Sequence, residues 1–113
     1  MESMTDPEHP VLSLTTTVGS LDQARQLASA LVGQRLAACV QLDGGVESHY
    51  RWQGAVQAEP EVRLTIKSAP ARLQDLQDYL ARHHPYQLPQ LLWHLEAASP
   101  AYADWVRQEV SAD

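Results

Sequence analysis

Between Leu36 and Trp52 runs a strand-forming stretch of 17 residues that turns at Gln53-Gly54 and returns through Val62, Leu64 and Ile66. Fully extended, such an arm spans about 55 Å at about 3.3 Å per residue. A single domain of this size has a diameter of only about 35 Å. The hairpin must therefore bend sharply or project beyond its own domain. Gly44-Gly45 supplies a place for a bend or bulge, and Gly54 tolerates the positive φ of a tight hairpin turn. Tyr50, Trp52 and Val56 ride on the arm. They are too apolar for a lone ribbon in water, and a two-stranded ribbon is marginal by itself. A neighbouring subunit that pairs with these strands would satisfy both the backbone and the aromatics, so the hairpin predicts an oligomer.

The rest of the chain sorts into alternating elements. Residues 1–10 (MESMTDPEHP) are polar, proline-broken and aperiodic, and read as a flexible lead-in to one domain over 11–113. The β-branched run from Val11 to Val18 places Leu12, Leu14 and Val18 on one face. Ser20-x-x-Gln23 forms a capping box, Leu21, Ala24, Leu27, Ala28 and Leu31 follow at helical spacing, and Gly33 suits the helix end. The second strand covers about Leu36 to Leu42, kinks at the glycines and resumes from Val46 to Trp52.

The return strand opposes Val62, Leu64 and Ile66 to Glu61, Arg63, Thr65 and Lys67. Ser68-Ala69-Pro70 starts a helix whose buried stripe is Leu73, Leu76 and Leu80, ending at His83-His84-Pro85. Leu91, Trp93 and Leu95 make a last core strand, and Ser99-Pro100 opens a terminal helix with Tyr102, Trp105, Val106 and Val110 on one side. The order β-α-β-β-α-β plus a C-terminal helix is the ferredoxin-like split βαβ pattern, an α+β fold with both helices on one face of an antiparallel sheet. The other face then shows Ser13, Thr15, Thr17, Cys39, Gln41, Arg63, Thr65, Lys67, His94 and Glu96 to water or to another polar surface.

Charge narrows the function classes. Asp plus Glu number 14 against 8 Lys plus Arg, a formal net charge of -6, and the cations do not cluster. No basic stripe exists to displace counterions from phosphate, which argues against nucleic acid or an anionic membrane as partner. The single cysteine, Cys39, excludes an intramolecular disulfide and a multi-cysteine zinc site. Without a long apolar run or a basic-then-apolar N-terminus, the expectation is a cytoplasmic chain.

Candidate chemistry concentrates in His83-His84-Pro85-Tyr86-Gln87-Leu88-Pro89-Gln90. Adjacent histidines could ligate a borderline divalent metal, although neighbours on a helix point apart and one at most faces a given site. The alternative is that one imidazole caps the negative helix end while the prolines stiffen the loop. Cys39 would act as a nucleophile only beside a His base and otherwise packs on its strand. Glu61 and Lys67 share a face but lie too far apart to touch, so each pairs across strands or subunits, and Glu59 joins Glu61. No phosphate loop or nucleophile elbow is present, so the reading is of a protein that is not an enzyme.

Four blocks in order resemble the CutA divalent-cation-tolerance family: Leu36-Ala37-Ala38-Cys39-Val40, Ser48-x-Tyr50-x-Trp52-x-Gly54, Glu61 with Lys67, and His83-Pro85-Tyr86-x-x-Pro89. The resemblance implies a ferredoxin-like subunit in a homotrimer whose long hairpins exchange strands. It also implies a role in tolerance to, or binding of, divalent metals such as copper, without established catalysis or a required cofactor. Some bacterial members carry a first-strand cysteine where this chain has Thr16, and a Pro-Glu where it has Pro89-Gln90. His83 is then the candidate ligand, with Thr16 and Gln90 at the other two positions, and Cu(II) or Zn(II) binding is expected to be weak. The family trimer is also similar in architecture to PII signalling proteins. That supports an alternative, a regulator taking a small anionic ligand in inter-subunit clefts through Arg51, Arg63 and Lys67.

Overall fold

Val11–Val18 forms the inner strand β1, and its alternation decides what each sheet face meets. The computed structural model describes residues 8–111, so most of the lead-in expected over 1–10 lies outside the described residues. After β1 come α1 (Leu21–Gly33), β2 (Cys39–Trp52), β3 (Ala55–Ser68), a 3-10 turn (Pro70–Arg72), α2 (Leu73–His83), β4 (Leu92–Glu96) and α3 (Pro100–Glu109). The sheet is antiparallel throughout, in the order β2-β3-β1-β4 expected of the split βαβ arrangement.

Local chemistry places the helices. The Ser20 hydroxyl accepts the Gln23 N–H at 3.1 Å, and Ser99 accepts that of Tyr102 at 3.2 Å. At the end of α1 the expected glycine, Gly33, is still helical, and the left-handed residue is Arg35, with φ 60°. That strained turn is held where the Arg72 guanidinium donates to the Arg35 carbonyl at 3.2 Å. One face of the sheet buries Leu12, Leu14, Val18, Leu64 and Ile66 against Ala24, Leu27 and Leu31 of α1 and Leu76 and Leu80 of α2. Leu21 is exposed on α1 and Leu73 only half-buried on α2, so both buried stripes are narrower than expected.

Three expectations need correction. The polar face is only partly open: Gln41, Arg63 and His94 are exposed, but Ser13 and Thr17 are buried, and α3 covers one end through Ala103 and Val106 against Val11. Trp93 and Leu95 do share the face of Leu14 and Leu12, their register partners, yet stand 45% and 56% exposed. The reason is position, since β4 is the sheet edge and the core beneath α1 and α2 stops at β1 on that side. On α3, Tyr102 and Trp105 are likewise exposed while Val106 and Val110 are buried.

The hairpin projects, and Gly44-Gly45 bends it. Pairing jumps from Asp43↔Arg63 to Val46↔Glu61, so two residues of β2 oppose one of β3. Gly45 adopts φ 82°, a left-handed conformation that side chains oppose. Because side chains alternate along a strand, the extra residue reverses the faces of everything after it. Val40 and Leu42 point to the helix side, whereas Tyr50 and Trp52 share the opposite face with Glu59 and Glu61. Beyond Val18↔Val62 the ribbon has no third strand among the described residues, which measure 54 × 31 × 21 Å.

Candidate functional site: a cleft beneath the projecting ribbon

The residue before a proline is driven from helical to extended backbone, and Pro85 does this to His84 (φ -70°, ψ 136°), ending α2. The turn sends the two histidines apart. His83 stays exposed on α2 with its ring 4.2 Å from that of Tyr79, while His84 is buried against the end of β1.

There the His84 Nε2 lies 3.0 Å from the Thr16 hydroxyl and 3.0 Å from the Thr17 carbonyl, and Nδ1 accepts the Tyr86 N–H at 3.0 Å. An Nδ1 that accepts must carry the lone pair, so the proton sits on Nε2 and is donated toward Thr17. Burial holds the His84 pKa below the ordinary histidine value, outweighing the Thr17 carbonyl and the nearby Glu61, which favour the charged form. Both ring nitrogens are therefore occupied by the protein's own groups.

His84 in turn orients Tyr86, whose hydroxyl donates to the Glu61 carboxylate at 2.6 Å. Partial burial pushes the Glu61 carboxyl up, but hydrogen bonds with Ser48, Tyr86 and Thr17 and the proximity of His84 prevail and hold it below the usual range. Burial and Glu61 together push the Tyr86 phenol well up. Glu61 is thus a fixed anion at the root of the ribbon. Above it the ribbon and the loop after α2 enclose a cleft of about 520 Å³, whose walls include Tyr50, Trp52, Glu59, Tyr86 and Leu88.

Of the residues singled out for metal, Thr16 meets His84 rather than His83, and Gln90 lines the cleft. Among the described residues no three His, Cys, Asp or Glu side chains converge. The donor set around Thr16 is a neutral hydroxyl and an imidazole with neither nitrogen free, which does not fit a tight divalent-metal site. Nor do the three cations of the anion-binding alternative converge. Arg51 lines the cleft, but Arg63 pairs with Asp43 at 3.4 Å and Lys67 with Glu96 at 2.7 Å. That last bond is the cross-strand pairing expected of Lys67.

Residue patterning missed His84 as the pivot and the faces of Tyr50 and Trp52. For His84 a signal was available in the following proline. For the aromatics there was only the glycine pair.

Residues 12–109 match the family model described as CutA1 divalent ion tolerance protein. The divalent-cation tolerance protein CutA of Yersinia pestis (strain Pestoides F) is 40% identical over 95 residues, covering 80% of each chain. The CutA structure from Synechococcus elongatus PCC7942 is 39% identical with a TM-score of 0.85, over 98% of this chain and 95% of that one. CutA from Xylella fastidiosa is 32% identical with a TM-score of 0.86, over 90% and 99%. A further Synechococcus elongatus CutA structure, complexed with a Bis-Tris molecule, is 39% identical with a TM-score of 0.82, over 89% and 94%.

Proposed function

Because the chain belongs to the CutA1 divalent ion tolerance family, we propose that it serves divalent-cation tolerance as a homotrimeric, non-catalytic binding protein. In this reading the sheet edges and ribbons are shared between subunits, and the cleft beneath each ribbon is the ligand site. The observation that carries it is the ribbon. Its outer arm, Val46–Trp52 against Ala55–Glu61, pairs with no third strand among the described residues, and Val56 on its far side is 71% exposed. A two-stranded ribbon of this length needs a partner surface to be stable in water. The exposed edge strand β4, with Trp93 and Leu95, offers an apolar surface of the kind that subunits cover.

Direct contact with Cu(II) or Zn(II) is weak in this reading and runs through the solvent-facing imidazole of His83. Small-molecule binding in the cleft is favoured by its size, which falls within the roughly 300–1,000 Å³ of ordinary ligand pockets. The Bis-Tris molecule in a 39% identical relative agrees with a family member taking up small organic molecules. Light scattering is expected to give about three times the chain mass of 12.6 kDa at micromolar concentration. A monomer under those conditions defeats the trimer. Calorimetric titration with Cu(II) is expected to show weak heat that His83→Ala abolishes, and an unchanged isotherm in that variant removes His83 as the contact.

A further inference from the structure

We propose that the cleft between the ribbon and the loop after α2 binds a small organic ammonium ion, with Glu61 as counter-charge and Tyr50, Trp52 and Tyr86 as walls. This rests on the reading of the cleft as the ligand site and adds the chemical class of the ligand.

The lining sets the sign of the charge. The lining carries Glu59, Glu61 and Arg51, two carboxylates against one guanidinium. The Tyr86 hydroxyl, a donor that an anion would need, is already committed to Glu61. An anion would meet Arg51 beside two repelling carboxylates, with the Gln87 and Gln90 amides serving either sign. A cation meets Glu61 at the root of the cleft and aromatic faces along its sides.

The same lining sets the kind of cation. A hydrated divalent ion seeks several oxygen donors and gains nothing from indole and phenol rings. An alkylammonium group gains from both, because its charge is attracted to ring faces while its carbons bury apolar surface against them. Trp52 and Tyr50 reach this face because the Gly44-Gly45 bulge turns them toward Glu61.

Three probes of one shape and three charges test it: tert-butylammonium chloride, tert-butanol and sodium pivalate, each titrated calorimetrically into the full chain. Tert-butylammonium is expected to bind about tenfold or more tightly than either of the others. Glu61→Gln should remove that preference, and Trp52→Leu should weaken the ammonium about tenfold, with circular dichroism checking that both variants fold. Equal affinity for the alcohol, tighter pivalate binding, or unchanged ammonium affinity in both variants overturns the proposal. Light scattering on the same samples separates the two readings. A monomer that still prefers the ammonium rejects the trimer and keeps the cleft chemistry, whereas a trimer without that preference rejects the cleft chemistry alone.

Discussion

The Tyr86 hydroxyl donates to the Glu61 carboxylate at 2.6 Å, and through that bond the loop after α2 is fastened to the root of the projecting ribbon. The two residues sit 25 positions apart, on elements that share no backbone ladder. Removing the donor leaves the anion with fewer partners and the loop with one anchor less. Tyr86→Phe is expected to cost about 1.5 kcal/mol in urea unfolding, at the low end for hydrogen bonds to a charged group because the pair is only partly buried. No loss of stability in this variant would show the bond to be incidental.

The two histidines should differ sharply. His84→Ala opens a hole beneath the loop and leaves the Thr17 carbonyl and Tyr86 N–H without their partner. A loss of about 2–3 kcal/mol is expected from the cavity and the orphaned groups together. His83→Ala, on the exposed face of α2, should stay within about 0.5 kcal/mol. Equal effects of the two substitutions would contradict the assignment of His84 as the pivot.

Stability should fall as the solution is acidified, in two stages of the same sign. His84 has a lowered folded-state pKa, so its neutral form is favoured by folding. That contribution is complete above the unfolded histidine value near about 6.5 and is lost as pH falls from there through the folded pKa. Glu61 and Glu96 are also lowered, the latter chiefly by its hydrogen bond from Lys67. Their contribution is complete above about 4.3 and is lost below it, through the folded values. Urea midpoints from pH 7.5 to 3 should decline throughout, and His84→Gln should flatten the upper stage. A midpoint that rises on acidification would contradict both assignments.

The two bulge glycines are unequal. An added Cβ meets nothing within 4 Å at either, so space does not distinguish them. Backbone does, because Gly45 alone of the pair has φ 82°. Gly45→Ala should cost about 1–2 kcal/mol from left-handed strain, while Gly44→Ala should be neutral or slightly stabilising. Deleting Gly44 would restore regular pairing while keeping both Asp43↔Arg63 and Val46↔Glu61, so Tyr50 and Trp52 should stay on the Glu61 face and the ammonium preference should persist. Equal behaviour of the two alanine variants in urea unfolding would place the bulge elsewhere.

Much of the fold was legible along the chain. Ser20 and Ser99 announced their helices, and the alternation of Val62, Leu64 and Ile66 announced the core face of β3. The candidate site was less so. Thr16 and Gln90 were singled out, but their neighbours were not, since Thr16 meets its imidazole across 68 positions. Likewise Trp93 and Leu95 carried a core pattern that is true of their face and untrue of their burial.

Local patterning by itself determined the order of elements, the helix starts, the core stripe and a hairpin too long for one domain. These follow from backbone geometry, because periods of two and 3.6 and the φ limits of Gly and Pro act over a few residues. Tertiary structure alone decided which histidine turns inward, that α3 covers one end of the polar face, and that β4 is left at an edge. It also decided the direction in which Tyr50 and Trp52 point, since one extra residue at Gly44-Gly45 reverses the alternation. Those outcomes depend on which strands pair and in what register, and pairing couples residues whose separation along the chain carries no periodic signal.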